Sequence, residues 1–271
     1  MRVGVVGAAG KMGREVCRTV LARPGLELVA AVDPLHGGAE LGPLIGADAG
    51  PLVVTDGLGS LTDAAADVVV DFTRLEAARV TLAFCADAGI HVVVGTTGFT
   101  EADLEDLGRR FAGPDSGAPN CVLAANFAIG AVLMMRFAEM AAPYFAGAEI
   151  VEFHHDGKLD APSGTAVRTA ERMAASRRDS GSGAFRSDPT VTSVLDGARG
   201  GAGPAGVRIH SVRLAGLVAH QEVILGGVGE NLTIRHDSFA RSSFMDGVIL
   251  AVESVADRPG LTLGLEPLLG F

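Results

Sequence analysis

Up to Phe127 the apolar residues come in short unbroken runs: RVGVVG (2–7), LELVAAVD (26–33), PLVVT (51–55), DVVVDFT (67–73), HVVVGTT (91–97) and CVLAANF (121–127). A strand covered on both faces reads this way, because neither face has to meet water. Between the runs the spacing lengthens to a helical period, at Lys11 to Ala22, Leu75 to Ala88 and Glu101 to Phe111. The last of these opens TEADLEDL, with Thr100 placed to cap it and acids in its first turn, where the helix dipole favours them. Strand and helix in alternation predict βαβ units on a parallel sheet.

After Phe127 the texture changes. A helix (Ile129 to Ala142) precedes AEIVEFHH (148–155), and a second helix follows from Gly164 to near Ala175. Residues 176–206 are rich in Gly, Ser, Ala and Arg without periodicity, the mark of a long mobile or functional loop. Three strand-like runs, VRIHSVRLAG, AHQEVILGG and ENLTIRHDS, then read as an antiparallel meander. A helix from Ser243 to Ala256 and DRPGLTLGLEPLLGF close the chain. The fold class expected is α/β: an N-terminal Rossmann-type parallel-sheet domain plus a C-terminal α+β domain with a mainly antiparallel open sheet.

Composition narrows the function. The 271 residues are 48% hydrophobic and 20% charged, enough for two modest cores. The net charge is 22 − 32 = −10 with no basic run, which argues against nucleic-acid and anionic-membrane partners. Such a protein binds an anionic metabolite only where cations and backbone N–H groups are gathered in one place. Cys17, Cys85 and Cys121 form no CxxC pair, which argues against a disulfide framework or a zinc site and fits a reducing cytoplasm. Lys11 and Arg14 arrive too early for a secretory signal, and AIGAVLMMRFAEMAAPYF carries Arg136 and Glu139, so it reads as a core helix.

One motif joins the first run to the first helix. VVGAAGKMGREV spaces Gly7, Gly10 and Gly13 so that a backbone turn can approach a pyrophosphate at a helix N-terminus. Glycine spacing alone is weak in a chain with 37 glycines. Here it follows a strand and opens a helix, and Asp33 ends the next run, where an acid accepts hydrogen bonds from a ribose 2′-OH. Asp33 should repel a 2′-phosphate and Pro34 supplies no cation, so NADH is favoured over NADPH. Lys11 can reach a phosphate or simply be solvated. Met12 after Gly10-Lys11 excludes a P-loop.

A second motif is EFHHDGKLDAPSGTA (152–166). On a strand, Glu152 and His154 face one side while Phe153 and His155 face the other, which argues against a metal shared by the two imidazoles. Lys158 and the Ser163-Gly164-Thr165 turn follow at once. An ammonium, an imidazole and a helix N-terminus together suit an anionic substrate beside an acid/base group.

In these residues the chain resembles the dihydrodipicolinate reductase family. The resemblance spans essentially the whole chain and rests on VGVVGAAGKMG, VVDFT, VVVGTTGFT, AANFAIGAVL, EFHHDGKLDAPSGTA, LAGLVAHQEV and GENLTIRHDS, in the family's order. It implies NAD(P)H-dependent reduction of the product of dihydrodipicolinate synthase, on the diaminopimelate route to lysine. His154 would be the acid/base residue and Lys158 the proton donor. His155, Ser163, Gly164 and Thr165 would hold the substrate. Cofactor contacts would come from Gly7, Ala8, Ala9, Gly10, Lys11 and Met12, from Asp33, from Gly95, Thr96 and Thr97, and from Ala124, Ala125, Asn126 and Phe127. The family returns its C-terminal helix to the first domain, giving 1–126 plus 240–271 as the dinucleotide-binding domain. Residues 127–239 would then bind substrate and assemble a homotetramer, with Arg235, His236, Asp237 and Arg241 as an interfacial charge network. The expected partner is a small dicarboxylate, and no metal, nucleic acid or membrane is expected.

Three departures matter. Ala125 stands where the family often has proline, Ala9 where some relatives have a second loop lysine, and Asp156-Gly157 where others carry proline or basic residues. Asp156 is placed to pair with Lys158. Rival dehydrogenase classes fit poorly: the sole tyrosine, Tyr144, has Ala148 where a Tyr-x-x-x-Lys pair needs lysine, and no cysteine sits in a hydroxyl-rich loop. A dinucleotide sensor without catalysis would not need EFHHDGKLDAPSGTA intact.

Overall fold

The computed structural model describes residues 1–112 and 117–271. They form two compact units, residues 1–129 with 241–271, and residues 130–240.

The first unit is built on strands β1 (Arg2–Val6), β2 (Glu27–Val32), β3 (Val54–Thr55), β4 (Val68–Asp71), β5 (His91–Val94), β6 (Cys121–Leu123) and, from the end of the chain, β12 (Leu261–Leu263). Their order is β12-β6-β5-β4-β1-β2-β3, and every pairing is parallel. Helices α1 (Lys11–Ala22), α4 (Leu75–Ala88) and α5 (Glu101–Arg110) fall where the helical spacing put them. The unbroken apolar runs are explained by coverage on both faces: Val68 to Val70 and Val92 to Val94 are fully buried. Thr100 caps α5 in a reciprocal box, its side chain accepting from Asp103 N at 3.2 Å while Asp103 Oδ2 accepts from Thr100 N at 2.7 Å. Two short helices, α2 (Leu41–Ile45) and α3 (Gly59–Asp63), lie in stretches that gave no periodic signal. Helix α8 (Met245–Ser254) buries Val248, Ala251 and Val252 in this unit.

The chain leaves the first unit at the start of α6 (Ile129–Ala141). The second unit carries β7 (Gly147–His154), α7 (Gly164–Asp179), β8 (Gly201–Ala202), β9 (Arg208–Arg213), β10 (Ala219–Gly227) and β11 (Glu230–Ser238). Its sheet has the order β11-β10-β7-β9-β8. The meander is therefore corrected. β10 and β11 form the expected hairpin, but β7 lies between β9 and β10, and β9 runs parallel to β7. The β9–β10 connection must then cross the end of β7, and it does so by hydrogen bonds: Leu214 N donates to His154 O (3.1 Å) and His155 N to Val218 O (3.4 Å).

Residues 180–200 hold neither helix nor strand. They are tied by Arg177, which is buried and donates to the carbonyls of Gly183, Ala142, Phe145, Ser182 and Ala184, with its guanidinium 4.2 Å from the Phe185 ring centre.

Candidate active site

Two groups of residues, one in each unit, carry the candidate chemistry. In the first unit they collect at the carboxyl edge of the parallel sheet. β1 lies centrally, with β4 on one side and β2 on the other, so the strand order reverses there. Ligands of open α/β sheets bind at such points. Gly7 leaves β1 in the left-handed region (φ +74°) and its N–H, like that of Ala8, donates to Val32 O on β2 (2.8 and 3.1 Å). Gly10 N donates back to Gly7 O (2.9 Å), folding the loop tightly onto α1. A side chain at Gly13 would put its Cβ 2.0 Å from Gly7 O, so only glycine permits this approach. Gly10 caps α1 without a side chain, which leaves the first-turn N–H groups of Lys11, Met12 and Gly13 without intrahelical acceptors. Lys11 is exposed beside them and Met12 half-buried.

Asp33 is 8% exposed and does more than wait for a ribose. Its Oδ2 accepts from Ala9 N (3.2 Å), and its Oδ1 accepts from Leu35 N (3.0 Å) and faces His36 Nδ1 at 3.1 Å. His36 gave no signal in the sequence, because PLHGG reads as an ordinary loop. Arg14 was also passed over; its Nε donates to Ala9 O (2.6 Å) and braces the loop.

The remaining residues predicted to touch the cofactor line the same sheet edge. Gly95 follows β5, its N–H donating to Asp71 O (2.9 Å), and a Cβ there would lie 2.0 Å from the Phe72 ring. Thr96 Oγ1 donates to Thr73 O (2.8 Å), while Thr97 is exposed. After β6, Ala124 N donates to Val94 O (3.0 Å) and Ala125 is exposed. Asn126 Oδ1 accepts from Ala128 N (2.9 Å), and Phe127 is buried edge-on to Phe72 with ring centres 5.4 Å apart. Asp71 is wholly buried, and burial pushes its carboxyl above the usual range. All three cysteines are buried; burial pushes the thiols of Cys17 and Cys85 up to about 12 and that of Cys121 further, so none is poised as a nucleophile.

In the second unit the group forms where β7 ends. Glu152 and His154 share a face of β7, as the two-residue strand period requires. His154 Nδ1 lies 2.5 Å from Glu152 Oε2, and its side chain is 15% exposed. Glu152 is fully buried. Its Oε1 accepts from Ser163 N (3.1 Å), and Arg213 on β9 clamps both oxygens, each at 2.8 Å. Burial pushes the Glu152 carboxyl up, but the hydrogen bonds from Arg213, Ser211 and His154 outweigh it and hold the group at about 2. Burial pulls the His154 imidazole below its ordinary value; Glu152 opposes this, and the charges of Lys158 and Arg213 add to it. The balance favours the neutral imidazole over the imidazolium.

Ser163 is the N-cap of α7, its Oγ accepting from Ala166 N at 3.2 Å. Gly164 and Thr165 begin the helix next to it, exposed and half-buried respectively, and offer N–H groups to an anion. Lys158 Nζ pairs with Asp160 Oδ1 at 2.7 Å. The expected Asp156 pairing is thus corrected: Asp156 is exposed and Asp160 takes the ammonium. His155 is exposed. Arg235 pairs with Asp237 (3.0 Å) and Glu222 (2.9 Å), and Asp237 meets His220 (2.8 Å). His236 lies against Gly130, and Arg241 belongs to the first unit. Sequence reasoning placed Glu152 beside His154 but gave it no role, and it missed Arg213, which lies 61 residues beyond its partner. Among the described residues no helix is long and apolar enough to cross a membrane.

Comparison with known proteins covers both groups. Residues 1–127 match the family described as dihydrodipicolinate reductase, N-terminus, and residues 130–269 its C-terminus. The 4-hydroxy-tetrahydrodipicolinate reductase of Corynebacterium urealyticum is 49% identical, covering 100% of this chain and 99% of that protein. That of Nocardia farcinica is 50% identical over 99% and 98%. Among solved structures, a dipicolinate-bound dihydrodipicolinate reductase from Paenisporosarcina sp. TG-14 is similar, with a TM-score of 0.85 and 40% identity, covering 98% of each chain.

Proposed function

Since the chain belongs to the dihydrodipicolinate reductase family, we propose that its two units divide one reduction, the first holding the nicotinamide cofactor and the second the substrate. The activity is that of a 4-hydroxy-tetrahydrodipicolinate reductase, an NAD(P)H-dependent oxidoreductase of the diaminopimelate route to lysine. Its substrate loses water to give dihydrodipicolinate, which is reduced to tetrahydrodipicolinate.

The first unit fits a dinucleotide. The start of α1 has no side-chain cap and follows a glycine turn that a larger residue at Gly13 would block, and an acid follows the next strand. The bound cofactor supplies a hydride to C4 of the conjugated ring. Gly7 to Met12 would cradle its pyrophosphate and Asp33 its adenosine ribose. Gly95 to Thr97 and Ala124 to Phe127 would line the nicotinamide end. NADH is the favoured cofactor, because Asp33 places a carboxylate where NADPH carries a phosphate. His36, 3.1 Å from that carboxylate, softens the preference.

In the second unit the first turn of α7 holds one substrate carboxylate through Ser163, Gly164 and Thr165, and His155 touches the other end of the ring. The relative solved with dipicolinate supports a planar ring with two carboxylates as the ligand. Once C4 is reduced, the enamine left behind needs a proton. Lys158 gives it from an ammonium, while His154 orients and relays. The juxtaposition of His154, Lys158 and the α7 N-terminus at one end of β7 carries this assignment. Three unpaired buried thiols support a cytoplasmic reading, and the largely exposed edge strand β11 supports assembly into a homotetramer through the second unit.

The test is a coupled assay in which dihydrodipicolinate synthase makes the unstable substrate and loss of NADH absorbance is followed. Lys158→Ala should lower kcat by roughly 100-fold or more, the usual weight of a general acid, with unchanged affinity for NADH. Full turnover in that variant would remove Lys158 from its role.

A further inference from the structure

The second unit contains a buried ionic network whose connections are not those of a simple salt bridge. Glu152 has no exposed surface, and a carboxylate in that position is tolerated only when its oxygens are engaged. Apart from Ser211, its partners lead into the candidate site. Oε2 meets His154 Nδ1, Oε1 takes the N–H of Ser163, and Arg213 grips both. Ser163 is the residue from which α7 starts. Arg213 also donates to Asp160 O at 2.8 Å, in the segment that carries Lys158. One carboxylate therefore joins the imidazole, the anion-binding turn and, through its arginine, the backbone next to the ammonium.

The topology makes this possible. β9 lies parallel to β7 with Ser211 opposite Glu152 and Arg213 opposite His154, so the guanidinium reaches diagonally back to the acid. A purely structural pair would need Arg213 and Glu152 alone. The additional engagement of His154 Nδ1 fixes which ring nitrogen carries its proton, leaving Nε2 as the one that exchanges.

We propose that Glu152 and Arg213 are positioning residues for the reduction: they hold His154 in its Nδ1–H tautomer and fix its ring relative to the α7 turn that binds substrate. This deepens the reading of His154 as acid/base group and rests on it. The charges facing His154 are Glu152 from its own strand, Arg213 from β9, and Lys158 with Asp160 from the following loop. β10 places Ala219 and Gln221 opposite His154 and Glu152, and the first turn of α7 carries no charged side chain. His220, Arg235 and Asp237 form a separate network. The two partners thus act on His154 with opposite sign, the carboxylate favouring its protonated form and the guanidinium opposing it.

The opposition gives the experiment. In the full-length protein, pH profiles of kcat/KM are compared for wild type, His154→Ala, Glu152→Gln and Arg213→Lys, with KM for NADH as a control. The limb that reports His154 should move to lower pH in Glu152→Gln. Arg213→Lys keeps the charge but loses the two-pronged grip, and should lower kcat by about 10-fold, the weight of one hydrogen bond to a charged group, while KM for NADH stays unchanged. If Glu152→Gln does not fold, ¹⁵N NMR of histidine-labelled wild type still decides. His154 protonated on Nδ1 supports the proposal, and protonation on Nε2 overturns it. Variants that merely melt earlier, with the wild-type profile and kcat, also overturn it while leaving the reductase reading intact. Full turnover by His154→Ala overturns the assignment of His154 and this proposal together.

Discussion

Replacing Gly13 by alanine tests whether the first loop is a phosphate cradle or only a turn. The new Cβ would lie 2.0 Å from Gly7 O, 2.7 Å from Gly7 C and 2.8 Å from Ala8 Cα. These are backbone atoms, so no side chain can swing aside. Real Cβ atoms stay beyond 3.0 Å of such neighbours, which demands a separation of 3.0 − 2.0 = 1.0 Å between loop and helix. The loop cannot easily yield, because Gly7 and Ala8 are both bonded to Val32 O. The start of α1 must move instead. For folding, overpacking costs about 1–3 kcal/mol, and alanine's better helix propensity returns about 1 kcal/mol. The net loss is small. Binding suffers more. Hydrogen bonds to a charged group contribute about 1.5–3 kcal/mol each, so weakening two first-turn N–H contacts costs about 3 kcal/mol, on the order of 100-fold in Kd. Calorimetric titration with NADH, alongside a thermal melt, reads both quantities. Gly108→Ala on α5, where a Cβ meets nothing within 4 Å, is the control: it should bind NADH normally and melt slightly higher. If Gly13→Ala bound NADH within about threefold of wild type (a difference under 1 kcal/mol), the loop would not be the pyrophosphate site.

Three further outcomes are expected. Asp33→Asn should raise kcat/KM for NADPH relative to NADH by about 10-fold, since it removes a charge next to the 2′-position; an unchanged ratio would show that Asp33 does not choose the cofactor. Arg177→Met should lower stability by about 3 kcal/mol or more in urea, because it strips the partners from several carbonyls around the 180–200 loop; a midpoint equal to wild type would contradict this. Glu152 has a folded pKa depressed from 4.5 to about 2, so its stabilisation is present above pH 4.5 and disappears as pH falls towards 2. Melting temperatures between those values should fall more steeply for wild type than for Glu152→Gln, and parallel curves would rule the group out.

Much of this was legible from local pattern. Apolar runs mark the buried strands because coverage on both faces leaves no alternation, and Lys11–Ala22 and Leu75–Ala88 are bounded where their spacing changes. The Thr100 cap is legible because its chemistry is complete within four residues. What local pattern does not contain is the identity of a strand's neighbour. VRIHSVRLAG looks the same whether it pairs with β10 or β7, and the decision lies in long-range packing. For the same reason Arg213 was invisible as a partner of Glu152, whereas Glu152 itself was brought beside His154 by the strand period. The Asp156 expectation failed because sequence proximity does not fix direction; the loop turns Lys158 to Asp160. β12 is too short to show a period.

The return of the last thirty-one residues (271 − 241 + 1) to the first sheet has a consequence for how the protein is made. Asn120 shows the dependence most plainly. Its side-chain amide donates to Val255 O and Ala256 O, and its Oδ1 accepts from Gly260 N. Next to it, β6 pairs with β12. During translation, domains fold as units as they leave the ribosome. Here the unit begun first is finished last: its core stays open while all 111 residues of the other unit (240 − 130 + 1) are added. The inserted unit is continuous in sequence and can be complete before its host. Premature termination after the insertion would therefore spare the newest part of the nascent chain and cripple the oldest.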